Sequence, residues 1–346
     1  MWARAGKVED HCPVATDVDD ERFLDRAIAR AATVRLLSPP NPWVGAVLVT
    51  TDGAVHEGAT AAPGGPHAEI EALTSAGPAA AGAALYVTLE PCSHHGRTPP
   101  CADAVIAAGV ARVVVAVEDP DPRVQGRGIA RLRSAGITVE VGLRAAEVEA
   151  QLAPYRKHRT TGRPWVVLKL AATLDGRIAA ADGSSRWITG EAARDDAHRL
   201  RAESDAVLVG AGTVRADDPA LTVRRVEGRD PMRVVLGQAP PGAKVHPALE
   251  LSGDLGDVLD DLGRRGVLQL LVEGGAGVAH GFHSAGLVDR YVLYLAPALF
   301  GGHCALGLFS GAGAASVDDL WRGRIVDLAR VGEDLRVELA PLNCTR

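Results

Sequence analysis

Ala84-Leu85-Tyr86-Val87-Thr88-Leu89-Glu90-Pro91-Cys92-Ser93-His94-His95-Gly96-Arg97-Thr98-Pro99-Pro100-Cys101, read with His67-Ala68-Glu69 upstream, decides the fold of the first half of this chain. Ala84 to Leu89 is apolar and partly β-branched, which predicts a buried strand ending at Glu90-Pro91-Cys92. Cys101 opens the next helix, Ala102 to Ala108, and His67 falls in the first turn of a helix running to Ser75. Helix N-termini carry partial positive charge and free N–H groups, which favour thiolate over thiol. His67, Cys92 and Cys101 therefore make three metal ligands, one short of a closed tetrahedral zinc site. Water takes the open position, and Zn²⁺ lowers its pKa to about 7. Glu69, two residues from His67, reaches the same water and carries protons without binding the metal. The competing reading is a structural zinc with His94 or His95 as fourth ligand, which leaves Glu69 without a task.

The 346 residues suggest two domains. With 47% hydrophobic and 23% charged residues, the composition is that of an ordinary globular protein. No apolar run approaches the ~18 residues of a membrane span, and the charged N-terminus lacks the apolar core of a secretory signal. Five cysteines, Cys12, Cys92, Cys101, Cys304 and Cys344, are scattered and odd in number, which suits a reducing cytoplasm better than a disulfide framework. A net charge of −6 with 4% aromatics supplies neither a basic stripe nor stacking platforms for nucleic acid. Small-molecule partners are expected, with no nucleic acid and no membrane. The apolar run Tyr291 to Phe300 predicts pairing across a homo-oligomer interface.

Residues 1–19 read as a mobile leader, followed by an amphipathic helix from Asp20 to Leu37 with Phe23, Ala27, Ala31 and Val34 on one stripe. Val44 to Val49 and Ala54 to Glu57 read as a hairpin turned at Thr51-Asp52-Gly53. Strands at Val113 to Val117 and Ile137 to Val141 alternate with a helix at Ile129 to Ala135, implying α/β architecture with a mostly parallel sheet. The basic, proline-bounded stretch 151–164 (QLAPYRKHRTTGRP) reads as a linker, dividing a domain at 20–150 from one at 165–346. Strand-length runs then recur at Trp165 to Leu170, Ala206 to Val209, Arg233 to Leu236, Leu268 to Val272, Tyr291 to Leu295 and Leu335 to Leu339. Asp195 to Ala202 and Leu255 to Leu262 look helical. Val207 to Thr213 is a weak dinucleotide fingerprint, because Arg215 stands where the third glycine belongs. Leu271-Val272-Glu273-Gly274-Gly275-Ala276-Gly277 leaves a strand and enters a helix, so it is the better phosphate loop.

His67-Ala68-Glu69 with Pro91-Cys92 and Cys101 is close to the signature of zinc-dependent base deaminases, with eight residues, Ser93 to Pro100, in place of two between the cysteines. That spacer, together with Asn41-Pro42-Trp43-Val44-Gly45, resembles the deaminase half of the bifunctional deaminase–reductases of riboflavin biosynthesis. Lys169 to Arg177 (KLAATLDGR), Ser185 to Thr189 (SRWIT), Gly212 to Thr222 (GTVRADDPALT) and Glu273-Gly274-Gly275 resemble the reductase half of the same family, in order. The likeness spans about residues 22–342. It implies a cytidine-deaminase-like three-layer α/β/α domain followed by a dihydrofolate-reductase-like α/β domain. It implies zinc-dependent deamination of 2,5-diamino-6-(5-phosphoribosylamino)pyrimidin-4-one with Glu69 as acid–base, then NADPH-dependent reduction of the ribosyl group to a ribityl chain. A substrate contact is implied for Asn41, and His94, His95 and Arg97 either contact the substrate or its phosphate or shape the loop; further substrate contacts are implied for Ser185, Arg201, Leu221, Arg224 and Glu273. NADPH contacts are implied for Ala171, Trp187, Thr213, Asp217, Gly274, Gly275, Ala276 and Gly277.

Opening the sugar ring needs an acid, and Asp217 or Glu273 is available. Arg201 and Arg224 suit the 5′-phosphate, because guanidinium pairs with phosphate bidentately. Lys169 either assists or is a strand lysine at a sheet edge. Two departures bear on the second half. Leu236-Gly237-Gln238 stands where the family usually shows an Asp-Ser pair, and the segment between Lys244 and Leu262 looks too short for one strand. An active deaminase with a non-reducing C-terminal domain thus stays open, as does a regulatory module built on a structural zinc.

Overall fold

Phe23, Ala27 and Ala31 fall on one stripe, and their burial holds helix α1 (Asp17–Ala32) against the first sheet. The computed structural model describes residues 17–94, 99–122 and 124–342. The helix begins inside the expected leader, whose residues 1–16 lie outside the described ones. It also ends earlier than expected, giving way to turns over 33–37 ahead of Pro39-Pro40. The chain divides by its contacts into two units, Met1–Arg156 and Lys157–Arg346.

In the first unit α1 is followed by β1 (Gly45–Val49), β2 (Val55–Ala59), α2 (Ala68–Ala76), β3 (Ala84–Leu89), α3 (Cys101–Ala107), β4 (Arg112–Val117), α4 (Arg127–Ser134), β5 (Thr138–Val141) and α5 (Ala145–Gln151). The sheet order is β2-β1-β3-β4-β5, with β3, β4 and β5 parallel. β1 runs antiparallel to both neighbours, and the Asp52-Gly53 turn (Gly53 φ 86°) sends β2 straight back along it. This sheet is therefore mixed, with β1 alone running against the other four strands. Two glycines show how the helices cover both faces. A Cβ on Gly45 would lie 1.9 Å from the Ala27 carbonyl of α1, and one on Gly58 would lie 2.0 Å from the Ala68 carbonyl of α2. Gly58 pairs with Ala46, the neighbour of Gly45, so the two glycines point to opposite faces. Between the layers Leu85, Tyr86, Val87, Val113 and Val115 are completely buried.

Residues 153–161 of the expected linker form helix α6 (Ala153–Thr161). The second unit continues with β6 (Trp165–Thr173), β7 (Arg177–Ala179), α7 (Glu191–Ala202), β8 (Ala206–Gly210), α8 (Ala211–Asp217), β9 (Met232–Leu236), β10 (Leu249–Leu251), α9 (Leu255–Arg264), β11 (Gln269–Val272), α10 (Ala276–Ser284), β12 (Arg290–Ala296), β13 (Leu306–Gly307), β14 (Gly323–Val331) and β15 (Asp334–Pro341). Eight strands form one sheet in the order β10-β9-β8-β11-β6-β12-β15-β14, parallel from β10 through β12, while β13 and β7 pair separately. The segment between Lys244 and Leu262 does supply a strand, β10, of three residues. β12 is bonded on one side to β6 and on the other to β15, so Tyr291 to Phe300 has no free strand edge for pairing between copies. β6 is likewise interior, which excludes a sheet-edge position for Lys169.

Candidate active sites

Cys92 lands against the start of α3 as the chain leaves β3. Its Sγ accepts the backbone N–H of Cys101 at 3.3 Å, and its carbonyl accepts that of Ala102 at 3.1 Å. His67 caps α2 and brings Nδ1 to 3.7 Å from Cys92 Sγ and 3.2 Å from Cys101 Sγ. One nitrogen and two sulfurs thus lie within 4.8 Å of one another. That donor set fits zinc with one coordination position to spare. Exposed His94 does not join the set, and His95 and Arg97 lie outside the described residues. A hydrogen bond from the Cys101 thiol, helped by His67 and the Cys101 N–H, holds Cys92 low and thiolate-like, and the same sharing with burial pushes Cys101 up. Glu69 is only 3% exposed. Burial first, then the charge on Cys92, pushes its carboxyl up to about 7. Asn41 is half-buried in the turn between α1 and β1.

A cavity of about 600 Å³ opens in the second unit. Ala171, Ser185, Trp187, Arg201, Thr213, Asp217, Leu221, Arg224 and Glu273 line it, as does Lys169. Gly274, Gly275, Ala276 and Gly277 sit beside it at the start of α10 and are not part of its wall. Gly275 caps that helix, and its N–H donates to Thr213 Oγ1 at 3.2 Å, which ties the loop to the lining.

Charge is arranged unevenly here. Arg201 and Glu273 pair through two bonds of 2.5 and 2.8 Å, with side chains 13% and 9% exposed. Burial alone would push the Glu273 carboxyl up. Arg201, with Lys169 nearby, overcomes that and holds it below the usual carboxylate range. Glu273 is therefore an ionised acceptor, which removes it as the acid expected to open the sugar ring. The Arg201 fork is paired with Glu273 while its side chain lines the cavity. Arg224 makes no ion pair among the described residues; its Nη1 lies 3.4 Å from Thr222 Oγ1. Lys169 is held below the usual lysine range chiefly by burial, with Arg201 opposing its charge and Glu273 supporting it. Asp217 stands at the rim, 37% exposed and 3.6 Å from Arg186.

The sequence reading missed Arg194, Ala197 and His198, which line the cavity from α7 together with Arg201. Their spacing of i, i+3, i+4 and i+7 marks a single helix face, and that signal was present once Arg201 was singled out.

A His–Cys–Cys metal site with a buried carboxylate in one unit, and a nucleotide-sized cavity on a largely parallel sheet in the other, define a zinc deaminase joined to a reductase. Residues 17–117 match the cytidine and deoxycytidylate deaminase zinc-binding region, and residues 164–337 match the RibD C-terminal domain. The chain is 40% identical to the riboflavin biosynthesis protein RibD of Escherichia coli K12, over 93% of this chain and 99% of that one. The solved structure of Acinetobacter baumannii RibD, form 1, is similar with a TM-score of 0.88 at 38% identity, covering 93% of this chain and 98% of its own. A Thermotoga maritima structure, described as a diaminohydroxyphosphoribosylaminopyrimidine deaminase/5-amino-6-(5-phosphoribosylamino)uracil reductase, gives 0.85 at 35% identity with the same coverage, 93% and 98%. The chain belongs to the RibD family and is a bifunctional deaminase–reductase of riboflavin biosynthesis, with zinc and NADPH as its cofactors.

Proposed function

We propose that the first unit hydrolyses the ring amino group of 2,5-diamino-6-(5-phosphoribosylamino)pyrimidin-4-one, and that the second reduces the ribosyl group of the product to a ribityl chain. The observation that carries this is the convergence of His67, Cys92 and Cys101 beside a buried Glu69. These three residues hold zinc, which when bound supplies a Lewis acid for attack by water at neutral pH. Glu69, buried beside the three ligands, takes a proton from the attacking water and gives it to the departing ammonia. A C–O bond forms as the C–N bond breaks, so water is consumed and ammonia leaves. Asn41 holds the base edge through an amide that both donates and accepts. His94 and His95 are assigned to the substrate on family likeness.

In the second unit NADPH supplies hydride, bound by Ala171, Trp187, Thr213, Asp217 and the loop from Gly274 to Gly277. Ser185, Arg201, Leu221, Arg224 and Glu273 contact the substrate. Lys169 donates the proton that opens the ring, because an ammonium with a lowered pKa is a better acid. Glu273 fixes Arg201 in the wall. The test is to supply 5-amino-6-(5-phosphoribosylamino)uracil directly and follow NADPH oxidation, with ammonia release from the diamino substrate as the companion assay. No oxidation rejects the reductase, and no ammonia rejects the deaminase.

Among the described residues no helix is long and apolar enough to cross a membrane. We assign the enzyme to the cytoplasm on its free Cys92 and Cys101, with no nucleic-acid partner. We also expect a homo-oligomer, for which β14, one edge of the eight-stranded sheet, offers exposed Ile325 and Leu328; light scattering tests it.

A further inference from the structure

His198 stands out because it is buried at 4% exposure, lines the reductase cavity and has no role in the reading above. Its Nδ1 accepts the backbone N–H of Arg224 at 3.4 Å. A ring nitrogen that accepts carries no proton, so a neutral His198 must be the Nε2–H tautomer. Nε2 forms no bond among the described residues and is not among the fully buried unpartnered atoms, so it meets the cavity. The ring therefore does two things from one position on α7. One nitrogen fixes the backbone from which Arg224 extends, and the other presents an N–H donor beside that arginine. The charges of three guanidinium groups, Arg201, Arg224 and Arg225, act on the ring, with the Glu273 carboxylate opposing them. Arg201 is neutralised by Glu273, and Arg225 by Glu191 and Asp195, which leaves Arg224 as the uncompensated cation next to the imidazole.

We propose that His198 is a substrate-binding residue of the reductase, its Nε2–H donating to an oxygen of the substrate's phosphate while Nδ1 positions Arg224 for the same group. This rests on the reductase reading. Burial, followed by the charges of Arg201 and Arg224, holds the imidazole down to about 4, so it stays a neutral donor through the working range and does not switch with pH. A neutral donor suits this place, because a further cation among arginines would repel them in the empty site.

Asparagine reproduces the acceptor at Nδ1, and glutamine reaches the position of Nε2. The experiment compares His198→Asn, His198→Gln and His198→Leu in the full-length enzyme. KM for 5-amino-6-(5-phosphoribosylamino)uracil and the inhibition constant of ribose 5-phosphate are read, with the dissociation constant of NADPH as the control for fold. A hydrogen bond to a charged group is worth about tenfold or more in binding. H198N and H198L should therefore raise both the KM and the ribose 5-phosphate constant about tenfold or more. H198Q should stay within about threefold, and NADPH affinity should not move. Were the Leu variant to misfold, the Asn and Gln pair decides. Ribose 5-phosphate inhibition that is unchanged in H198N, while the wild type turns over normally, overturns the phosphate contact. A wild type that fails to oxidise NADPH with this substrate overturns the reductase reading itself, which is a separate result.

Discussion

Replacing Glu273 with leucine tests the charge arrangement of the second unit most directly. The carboxylate sits under Arg201 at 2.5 and 2.8 Å, and both side chains are nearly buried. Its removal leaves a guanidinium out of bulk water with no counter-charge, and brings Lys169 and Arg201 to face each other without the carboxylate. Breaking such a pair costs about 3–5 kcal/mol. The lower end, about 3 kcal/mol, applies here because the pair borders a cavity of about 600 Å³ that water can enter. For a unit of this size each kcal/mol moves the melting point by about 2–4 °C, so Glu273→Leu should lower its transition by about 6–12 °C. The double variant Arg201→Met/Glu273→Leu removes both charges and should recover to within about 1 kcal/mol of the wild type, since apolar replacement of a buried pair is often neutral. Calorimetric melts of the four proteins give the cycle. A single variant that loses less than about 1 kcal/mol, or a double as unstable as the sum of the singles, refutes the ion pair as the organising contact. The pH dependence has a definite sign. A carboxyl lowered by folding stabilises fully above its unfolded value, about 4.3, and that contribution is lost as pH falls through the lower folded value. The wild type should therefore shed this stability below about pH 4, and the double variant should not.

Glu69→Gln should retain zinc by metal analysis while ammonia release falls by about 10²- to 10⁴-fold, the usual worth of a positioned acid–base group, and NADPH oxidation with the uracil intermediate should be unchanged. Stripping zinc with a chelator, or Cys101→Ser, should abolish ammonia release and spare NADPH oxidation; loss of both activities together would count against independent sites. Gly58→Ala places a Cβ 2.0 Å from the Ala68 carbonyl, so α2 must shift, at a cost of about 1–3 kcal/mol read in the melt of the first unit. Because α2 carries Glu69 and is capped by His67, zinc retention should fall in the same variant.

The first site was legible because its chemistry is local. His67 and Glu69 are two residues apart, and Cys92 and Cys101 bracket one loop, so four residues in two short segments specify donors and acid–base group alike. Strand β3 was read to the residue, since a continuous apolar run bounded by Pro91 has few other solutions. The second site was legible only as a set of motifs. That Arg201 spends its fork on Glu273, 72 residues away, is a consequence of α7 lying over the end of β11, and no local pattern reports it. The stretch that forms helix α6 reads as a linker because it is basic and bounded by Pro154 and Pro164, yet Pro154 sits in the first turn, where a missing N–H costs nothing. Strand β14 went unread for the opposite reason: as the outermost strand it exposes Ile325 and Leu328, and carries no clean apolar alternation.

Glu69 and Glu273 carry the same side chain and are buried to a similar degree, so burial by itself does not decide what either does. The neighbours do. Among the described residues the cationic group acting on Glu69 is His67, and its effect is outweighed. The main charged neighbour of Glu69, Cys92, is an anion, so burial and repulsion act together and the proton is held up to about 7. A buried carboxyl whose proton is held up in this way is placed to exchange protons with a water at the three ligands. Glu273 faces Arg201 and Lys169, whose charges outweigh desolvation, and it stays ionised. It therefore accepts hydrogen bonds and fixes a cation, and the proton for ring opening has to come from elsewhere. Lys169 is the group that the same field prepares for it: burial and Arg201 weaken its hold on the proton, while Glu273 keeps the ammonium from being lost altogether. On this reasoning Lys169→Met should cut kcat for NADPH oxidation while leaving NADPH affinity in place. A variant that retained full kcat would return the acid to Asp217.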